Sequence, residues 1–171
     1  MNGFFTPKRR ATMVGMVIAM AWTFWLLTGG RAAAEGMTPS AGLLDVLVIV
    51  AALLGLMLCA MVVRVGMRRF LSTEYADGQP FPTGSPGSVD ARVLSNSSEQ
   101  VMIAAVIWPA LGLVVGAPVV LALALGFLVA RGLFWIGYHY NPWLRATAFA
   151  MTLYPSVAAG VWALTAALGR V

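Results

Sequence analysis

Two groups of polar residues interrupt otherwise apolar stretches of this chain. They are Arg92, Asn96 and Glu99, followed by Arg131, Tyr138 and, past a short turn, Arg145. Residues three, four and seven positions apart share a helix face, so each group points in one direction. An ionisable side chain inside a membrane is costly unless it is paired or lines a polar cavity. The sequence therefore predicts a built site, and its excess of arginine predicts an anionic ligand.

The residue types of this site suit the recognition of a small peptide. Arginine binds a carboxylate through two parallel hydrogen bonds, and Glu99 can receive an ammonium group. A guanidinium beside a thiol stabilises the thiolate. Glutathione, with two carboxylates, one amine and one thiol, fits this set. We also expect Glu99 to pair with Arg131, because a carboxylate one turn inside the membrane needs a cationic partner.

The sequence lacks the patterns of common hydrolytic and metal sites. His139 is the only histidine and has no cysteine or carboxylate at ligand spacing, so we expect no metal site and interpret His139 as an interfacial residue. There is no glycine-rich phosphate loop and no serine or cysteine nucleophile paired with that histidine. Cys59 is the only cysteine, which excludes a disulfide within the chain, and we predict that it is a small buried hydrophobic residue.

The composition is that of an integral membrane protein. Of the 171 residues, 60% are hydrophobic and 10% are charged, and the mean hydropathy is +0.86. These values lie far outside the range of soluble globular domains. The net charge of +5 does not indicate a nucleic-acid partner, because the cations flank apolar runs, as orientation in a membrane requires. We therefore expect membrane lipids, and no nucleic acid, around this protein.

Five apolar stretches are long enough to cross about 30 Å of hydrocarbon, namely residues 12–30, 42–63, 100–117, 118–136 and 146–168. The turn Gly116-Ala117-Pro118 predicts a tight hairpin, since glycine ends one helix and proline opens the next. The segment from Leu71 to Asp90 is rich in proline and glycine, which predicts a surface loop. Ser88 and Asp90 are candidate caps for the helix that follows. The fold class is an all-α membrane protein.

The distribution of cations predicts the orientation of these spans. With the amino terminus inside, the cytoplasmic side holds nine cations, namely Lys8, Arg9, Arg10, Arg64, Arg68, Arg69, Arg92, Arg131 and Arg145. Only Arg31 and Arg170 lie on the other side, in agreement with the positive-inside rule. We expect an integral protein of a bacterial inner membrane, with its amino terminus and its site on the cytoplasmic side.

The first span has features of a secretory signal. A basic segment, an apolar stretch and Ala32 to Ala34 resemble its three regions. The apolar stretch is longer than the roughly 7 to 15 residues usual for a signal, and Arg31 lies just before the cleavage point. We predict a retained helix over residues 1–34, with a cleaved signal as the alternative, and a bundle over residues 35–171.

The polar residues resemble those of the MAPEG family, the membrane-associated proteins of eicosanoid and glutathione metabolism. The resemblance lies in Arg92-x-x-x-Asn96-x-x-Glu99 and, across the hairpin, in Ala130-Arg131, Phe134, Gly137-Tyr138 and Arg145. It covers about residues 42 to 170, and the spacing is similar to that of the leukotriene C4 synthase and microsomal glutathione transferase branch. The resemblance implies a four-helix bundle, here with one additional amino-terminal helix. It also implies a homotrimer that binds glutathione as cosubstrate between neighbouring subunits.

The resemblance also implies a role for each residue. Glutathione would be held by Arg92, Asn96, Glu99, Arg131 and Tyr138. Arg145 would be the catalytic residue that stabilises the thiolate, and Phe134 would contact the lipophilic substrate. Two positions depart from the leukotriene-synthase pattern, since Phe134 and Gln100 stand where those members carry tyrosine. Arg64, Arg68 and Arg69 lie where related enzymes have basic residues at the end of their first helix.

Three functions are compatible with these residues. The first is a glutathione-dependent transferase or peroxidase acting on lipophilic electrophiles or lipid hydroperoxides. The second is a non-catalytic membrane subunit that keeps the fold but binds lipid or braces a larger complex, since fold does not fix function. The third is transport, which ranks last because carriers place charged residues at the bilayer midplane, whereas Glu99 and Arg131 lie toward one end of their spans.

Overall fold

The computed structural model describes residues 7–37, 42–72, 74–75 and 77–170, with side chains from residue 11 onward. These residues form helices and no strands. The elements are α1 (Pro7–Trp25), a π-helical turn (Leu26–Gly30), α2 (Arg31–Met37), α3 (Leu43–Phe70), α4 (Pro86–Val115), α5 (Ala117–Tyr140) and α6 (Pro142–Leu168).

Five helical segments are long and apolar enough to cross a membrane, which confirms the predicted all-α membrane class. They are Ala11–Met37, Leu43–Phe70, Pro86–Val115, Ala117–Tyr140 and Pro142–Leu168. Gly116 adopts a φ of +109° between α4 and α5, and a proline lies in the first turn of α5. The predicted hairpin is therefore confirmed, because glycine reaches this backbone conformation at little cost.

Helix α4 begins earlier than the sequence predicts. The Ser85 hydroxyl accepts a hydrogen bond from the Ser88 backbone N–H at 3.2 Å, and Pro86 occupies the first turn. A serine cap followed by proline is a strong helix start. The prediction of a loop as far as Asp90 is therefore wrong, as is the prediction that Ser88 or Asp90 caps the helix. Asp90 instead lies inside α4 and is 2% exposed.

Helix α5 occupies the centre of the bundle and contacts α3, α4 and α6. Its side chains are buried along most of its length. The Trp108 ring of α4 meets the Phe127 ring of α5 edge-on, with 5.6 Å between centroids. Cys59 is exposed on α3, so the prediction that it is buried is wrong. It lies on the outer side of α3 rather than on the side that Val50, Leu54 and Met61 bury.

The amino-terminal helix α1 packs along α6. Gly15 is buried against Thr147, and a Cβ added at this glycine would overlap the threonine side chain. The Trp143 indole N–H donates to the Ala11 carbonyl at 2.6 Å, which fixes the start of α1 beside the start of α6. The predicted division at residue 34 falls within α2 and stays a prediction.

The starts of α1, α4 and α6 and the ends of α3 and α5 lie at one end of the bundle, which we call the polar end. The bond between Trp143 and Ala11 joins α6 to α1 there, and bonds from Arg68 and Trp135 to Asp90 join α3 and α5 to α4. The residues of both predicted polar groups are found toward this end.

Candidate functional site

A cleft of about 510 Å³ opens at the polar end between α1, α4, α5 and α6. Four of the predicted site residues line it, namely Asn96, Phe134, Tyr138 and Arg145. Its remaining walls are mostly apolar and include Phe149, Leu153 and Tyr154 from α6 and Thr12 and Met16 from α1. The cleft thus combines a cationic group with a lipophilic surface.

Cationic and aromatic side chains alternate along one side of α5. The Arg131 Cζ atom lies 4.4 Å from the Phe134 ring centroid. The Phe134 and Tyr138 rings meet edge to face, with 5.1 Å between centroids, and the Arg145 Cζ atom lies 4.8 Å from the Tyr138 centroid. The predicted common face of Arg131, Phe134 and Tyr138 is therefore confirmed, and cation–π attraction extends it to α6.

The position of Arg145 depends on a close contact between two helix ends. A Cβ added at Gly137 would lie 2.8 Å from the Arg145 Cα atom, so only glycine allows this approach of α5 to α6. The Asn141 side chain caps α6 by accepting from the Trp143 backbone N–H at 3.0 Å, as asparagine commonly does at helix starts. Together the glycine and the cap bring Arg145, which is exposed, over the Tyr138 ring.

Arg131 is fully buried, at 0% exposure. Its Nη1 atom donates to the Asn96 Oδ1 atom at 2.8 Å, and its Nη2 atom donates to the Thr152 hydroxyl. Among the described residues no carboxylate lies within 4 Å of this guanidinium. Arg131 does not line the cleft but holds Asn96, which does. Direct contact of Arg131 with glutathione stays a prediction.

The expected pair of Glu99 with Arg131 is wrong. Glu99 is exposed, and its carboxylate accepts from the Ser95 hydroxyl at 3.4 Å. The cause is the rotation of α4 about its axis, because its buried side carries Val93 and Ser97, and at about 100° per residue Glu99 lies outside that side. Arg92 is also exposed and lies outside the cleft lining. The structure therefore gathers Asn96, but not Arg92 or Glu99, with the α5 and α6 residues.

A second polar group at this end of the bundle centres on Asp90. Its Oδ2 atom accepts from the Arg68 Nε–H at 2.8 Å, and the Arg64 Nε atom lies 3.4 Å from the same oxygen. Its Oδ1 atom accepts from the Trp135 indole N–H at 3.0 Å and lies 2.9 Å from the His139 Nε2 atom. This carboxylate joins α3, α4 and α5.

Sequence reasoning missed the Asp90 group. The spacing contained a signal, because Arg64 and Arg68 are four residues apart, as are Trp135 and His139, and such pairs share a helix face. Their common partner could not be predicted, because the sequence places Asp90 in a loop, whereas the structure places it inside α4. His139 thus belongs to a polar network around a buried carboxylate and is more than an interfacial residue.

The fold and the cleft define a helical membrane protein with a cationic site at one end of its bundle. Comparison with known protein families identifies the family within this class. The model of the MAPEG family matches residues 46–165, and the chain belongs to this family. The matched residues cover nearly all of α3 to α6 and leave α1 and α2 outside. No match was found among curated proteins, and none among solved structures. The family includes glutathione transferases and peroxidases as well as non-catalytic members.

Proposed function

We propose that this protein is a glutathione-dependent transferase or peroxidase that acts on lipophilic electrophiles or lipid hydroperoxides. The observation that carries the proposal is the exposed Arg145 guanidinium, held over the Tyr138 ring at 4.8 Å in a largely apolar cleft. Membership of the MAPEG family supports it, as does Asn96, whose side-chain oxygen is fixed by Arg131.

Arg145 supplies the electrostatic part of the proposed chemistry. A guanidinium beside the glutathione sulfur lowers the thiol pKa, so that the thiol proton leaves to water and a thiolate remains. In conjugation, the sulfur lone pair forms a carbon–sulfur bond and the displaced pair leaves with the leaving group. In peroxide reduction, two glutathione molecules supply two electrons. The oxygen–oxygen bond breaks, and the products are an alcohol, water and glutathione disulfide.

The second substrate would occupy the apolar part of the cleft. Met16, Phe149 and Leu153 line this part, and they offer no hydrogen bonds that a polar substrate would need. A lipophilic molecule is concentrated in the bilayer, and it can enter this part of the cleft without the cost of burying unpaired polar groups. Because Met16 belongs to α1, which lies outside the family match, we propose that α1 restricts the size of this substrate.

We propose a homotrimer with glutathione bound between subunits at the cytoplasmic end, in a bacterial inner membrane. Arg92 and Glu99 support this arrangement, because both are exposed on α4 and charged groups facing lipid are costly. In the trimer they would face the cleft of a neighbouring subunit and complete the grip on the peptide.

Titration of the detergent-solubilised protein with glutathione tests the proposal. Formation of the thiolate is followed by its ultraviolet absorbance. We expect a saturable signal that is lost in Arg145→Ala and largely kept in Arg145→Lys, since lysine retains the positive charge. Arg170→Ala is the matched control, because Arg170 is exposed and bonds to the Val114 carbonyl at the other end of the bundle. An unchanged signal in Arg145→Ala contradicts the enzyme proposal.

A non-catalytic role is the second candidate. Phe134 stands where the leukotriene-synthase pattern has tyrosine, and phenylalanine has no hydroxyl to offer a thiolate. Its ring is 3% exposed and packs under Arg131. Such a protein would use the cleft for lipid, or α1 to brace a larger complex. Co-purification of a stoichiometric partner, together with the absence of glutathione binding, would favour this candidate over the enzyme.

A further inference from the structure

We propose that a second cavity at the polar end binds the phosphate group of an anionic lipid. This cavity, of about 260 Å³, is lined by Arg64 of α3 and by Trp135, Ile136, His139 and Tyr140 of α5. It shares no lining residue with the cleft that contains Arg145. Within one subunit the two sites are therefore separate, and this proposal does not depend on the glutathione chemistry.

The charges beside the cavity do not balance. The Asp90 Oδ2 atom already accepts from Arg68 at 2.8 Å, and Arg64 approaches the same oxygen only to 3.4 Å. Two guanidinium groups thus share one carboxylate, which leaves one positive charge in excess. The Arg64 side chain is 52% exposed, so part of its guanidinium is free to bind an anion. A phosphate oxygen matches the planar donors of arginine.

The aromatic walls are fixed in place by the same carboxylate. The Trp135 indole N–H donates to Asp90 at 3.0 Å, and the His139 ring lies 2.9 Å from that oxygen. Asp90 itself is 2% exposed, so the network is anchored inside the bundle. A site whose walls are held before the ligand arrives loses little entropy on binding.

The surroundings of the cavity favour a lipid as the source of the phosphate. Ile136 is 52% exposed and Tyr140 is 84% exposed, and both belong to the final turns of a membrane-spanning helix. Aromatic side chains at this level are typical of the membrane interface. Basic pockets between transmembrane helices on the cytoplasmic side bind anionic headgroups. The exposed apolar residues would contact the first carbons of the acyl chains.

Lipid binding to the full chain in detergent, followed by native mass spectrometry, tests this proposal. Phosphatidylglycerol is compared with phosphatidylcholine, and inorganic phosphate is added as a competitor. We expect the wild type to prefer phosphatidylglycerol and Arg64→Gln to lose about fivefold in affinity for it, as expected for one arginine at a membrane surface. Arg31→Gln is the control, because Arg31 bonds to Glu35 at the other end of the bundle.

Each alternative outcome has a defined meaning. Equal binding of phosphatidylglycerol by wild type and Arg64→Gln overturns the proposal, provided that both proteins melt at the same temperature without lipid. If Arg64→Gln is misfolded, Arg64→Lys replaces it, and a retained preference in that variant supports a site based on charge. Equal competition by inorganic phosphate overturns the assignment to a lipid. Displacement of the lipid by glutathione would instead join this cavity to the first site and also overturn the proposal.

Discussion

The Arg145 Cζ atom lies 4.8 Å from the centroid of the Tyr138 ring. The first residue belongs to the start of α6 and the second to the end of α5, so this contact joins two helices across a single connecting residue. Cation–π attraction of this kind is worth about 0.5–1 kcal/mol at an exposed site and more when desolvated. The contact therefore holds a cation at the cleft and leaves its charge available. An ion pair would neutralise that charge.

Replacing Gly137 with alanine is expected to move Arg145. The new Cβ would lie 2.8 Å from the Arg145 Cα atom and 2.9 Å from the Leu144 carbonyl carbon, and backbone atoms cannot rotate away as a side chain can. Overpacking of this kind costs roughly 1–3 kcal/mol. We expect a lower melting temperature and at least a roughly tenfold lower conjugation rate, since small displacements of a catalytic group have large effects.

Gly132→Ala is the matched control for this substitution. Gly132 lies on the same helix, and a Cβ added there meets nothing within 4 Å. Alanine favours helix over glycine by about 1 kcal/mol, so this variant should be as stable as the wild type or more so, with an unchanged rate. Equal behaviour of the two variants would show that the contact of Gly137 with α6 does not position Arg145.

Two substitutions at Tyr138 separate its ring from its hydroxyl. Tyr138→Phe keeps the ring that lies against Arg145, so we expect the thiolate signal to remain. Tyr138→Leu removes the ring, and loss of about 0.5–1 kcal/mol of cation–π attraction should reduce thiolate formation roughly two- to fivefold. The measurement is the thiolate absorbance at saturating glutathione. A larger loss in the phenylalanine variant would assign the main role to the hydroxyl instead.

The sequence predicted features that depend on local periodicity. The shared face of Arg131, Phe134 and Tyr138 follows from the helix repeat, and the turn at Gly116 follows from glycine and proline chemistry. These features require no knowledge of the neighbouring helices. For the same reason the membrane class could be predicted from the composition, and the number of spans from the lengths of the apolar stretches.

Features that depend on the rotation of one helix against another could not be predicted in this way. Whether Asn96 or Glu99 meets Arg131 is decided by which side of α4 is buried, and burial of Val93 and Ser97 turns Glu99 outward. The Asp90 network needs three helices to converge on one carboxylate. The role of α1 as a wall of the cleft could not be predicted either. It depends on the packing of α1 against α6, where Gly15 contacts Thr147.

Arg131 is expected to act through Asn96 rather than on the substrate itself. In Arg131→Met an apolar side chain of similar length removes the cost of burying a cation, but it also removes the hydrogen bonds to Asn96 and Thr152. The Asn96 side chain would lose its partner at 2.8 Å and turn more freely. We expect the KM for glutathione to rise several-fold with little change in kcat.

The control for Arg131→Met is Arg170→Met, which removes an exposed arginine at the other end of the bundle. Restoration of a normal KM in Arg131→Lys would show that a single donor to Asn96 is sufficient. If Arg131→Met lowers kcat and leaves KM unchanged, the guanidinium acts on the reacting atoms and the positioning role is wrong.

Asp90 is expected to stabilise the fold. Asp90→Asn removes the charge that two arginines and one histidine surround, and breaking a buried charge pair costs roughly 3–5 kcal/mol. The partial exposure of Arg64 and Arg68 reduces this cost, because water can solvate both guanidinium groups. We expect a clearly lower melting temperature in detergent, whereas Asp77→Asn in the exposed loop should leave it unchanged. Equal melting temperatures of the two variants would contradict a structural role for Asp90.

The size of the second substrate should depend on α1. Met16 lines the cleft, so Met16→Trp should exclude long or bulky electrophiles while leaving small ones reactive. Thiolate formation should be unchanged, because Arg145 and Tyr138 belong to other helices. Rates with a series of electrophiles of increasing chain length measure this effect. Met13→Trp is the control, since Met13 is 44% exposed on the same helix and lies outside the cleft lining. If both variants change the dependence of rate on chain length equally, α1 does not select the substrate. A normal thiolate signal in the same variants would show that the glutathione site is intact, so this result would leave the proposed function standing.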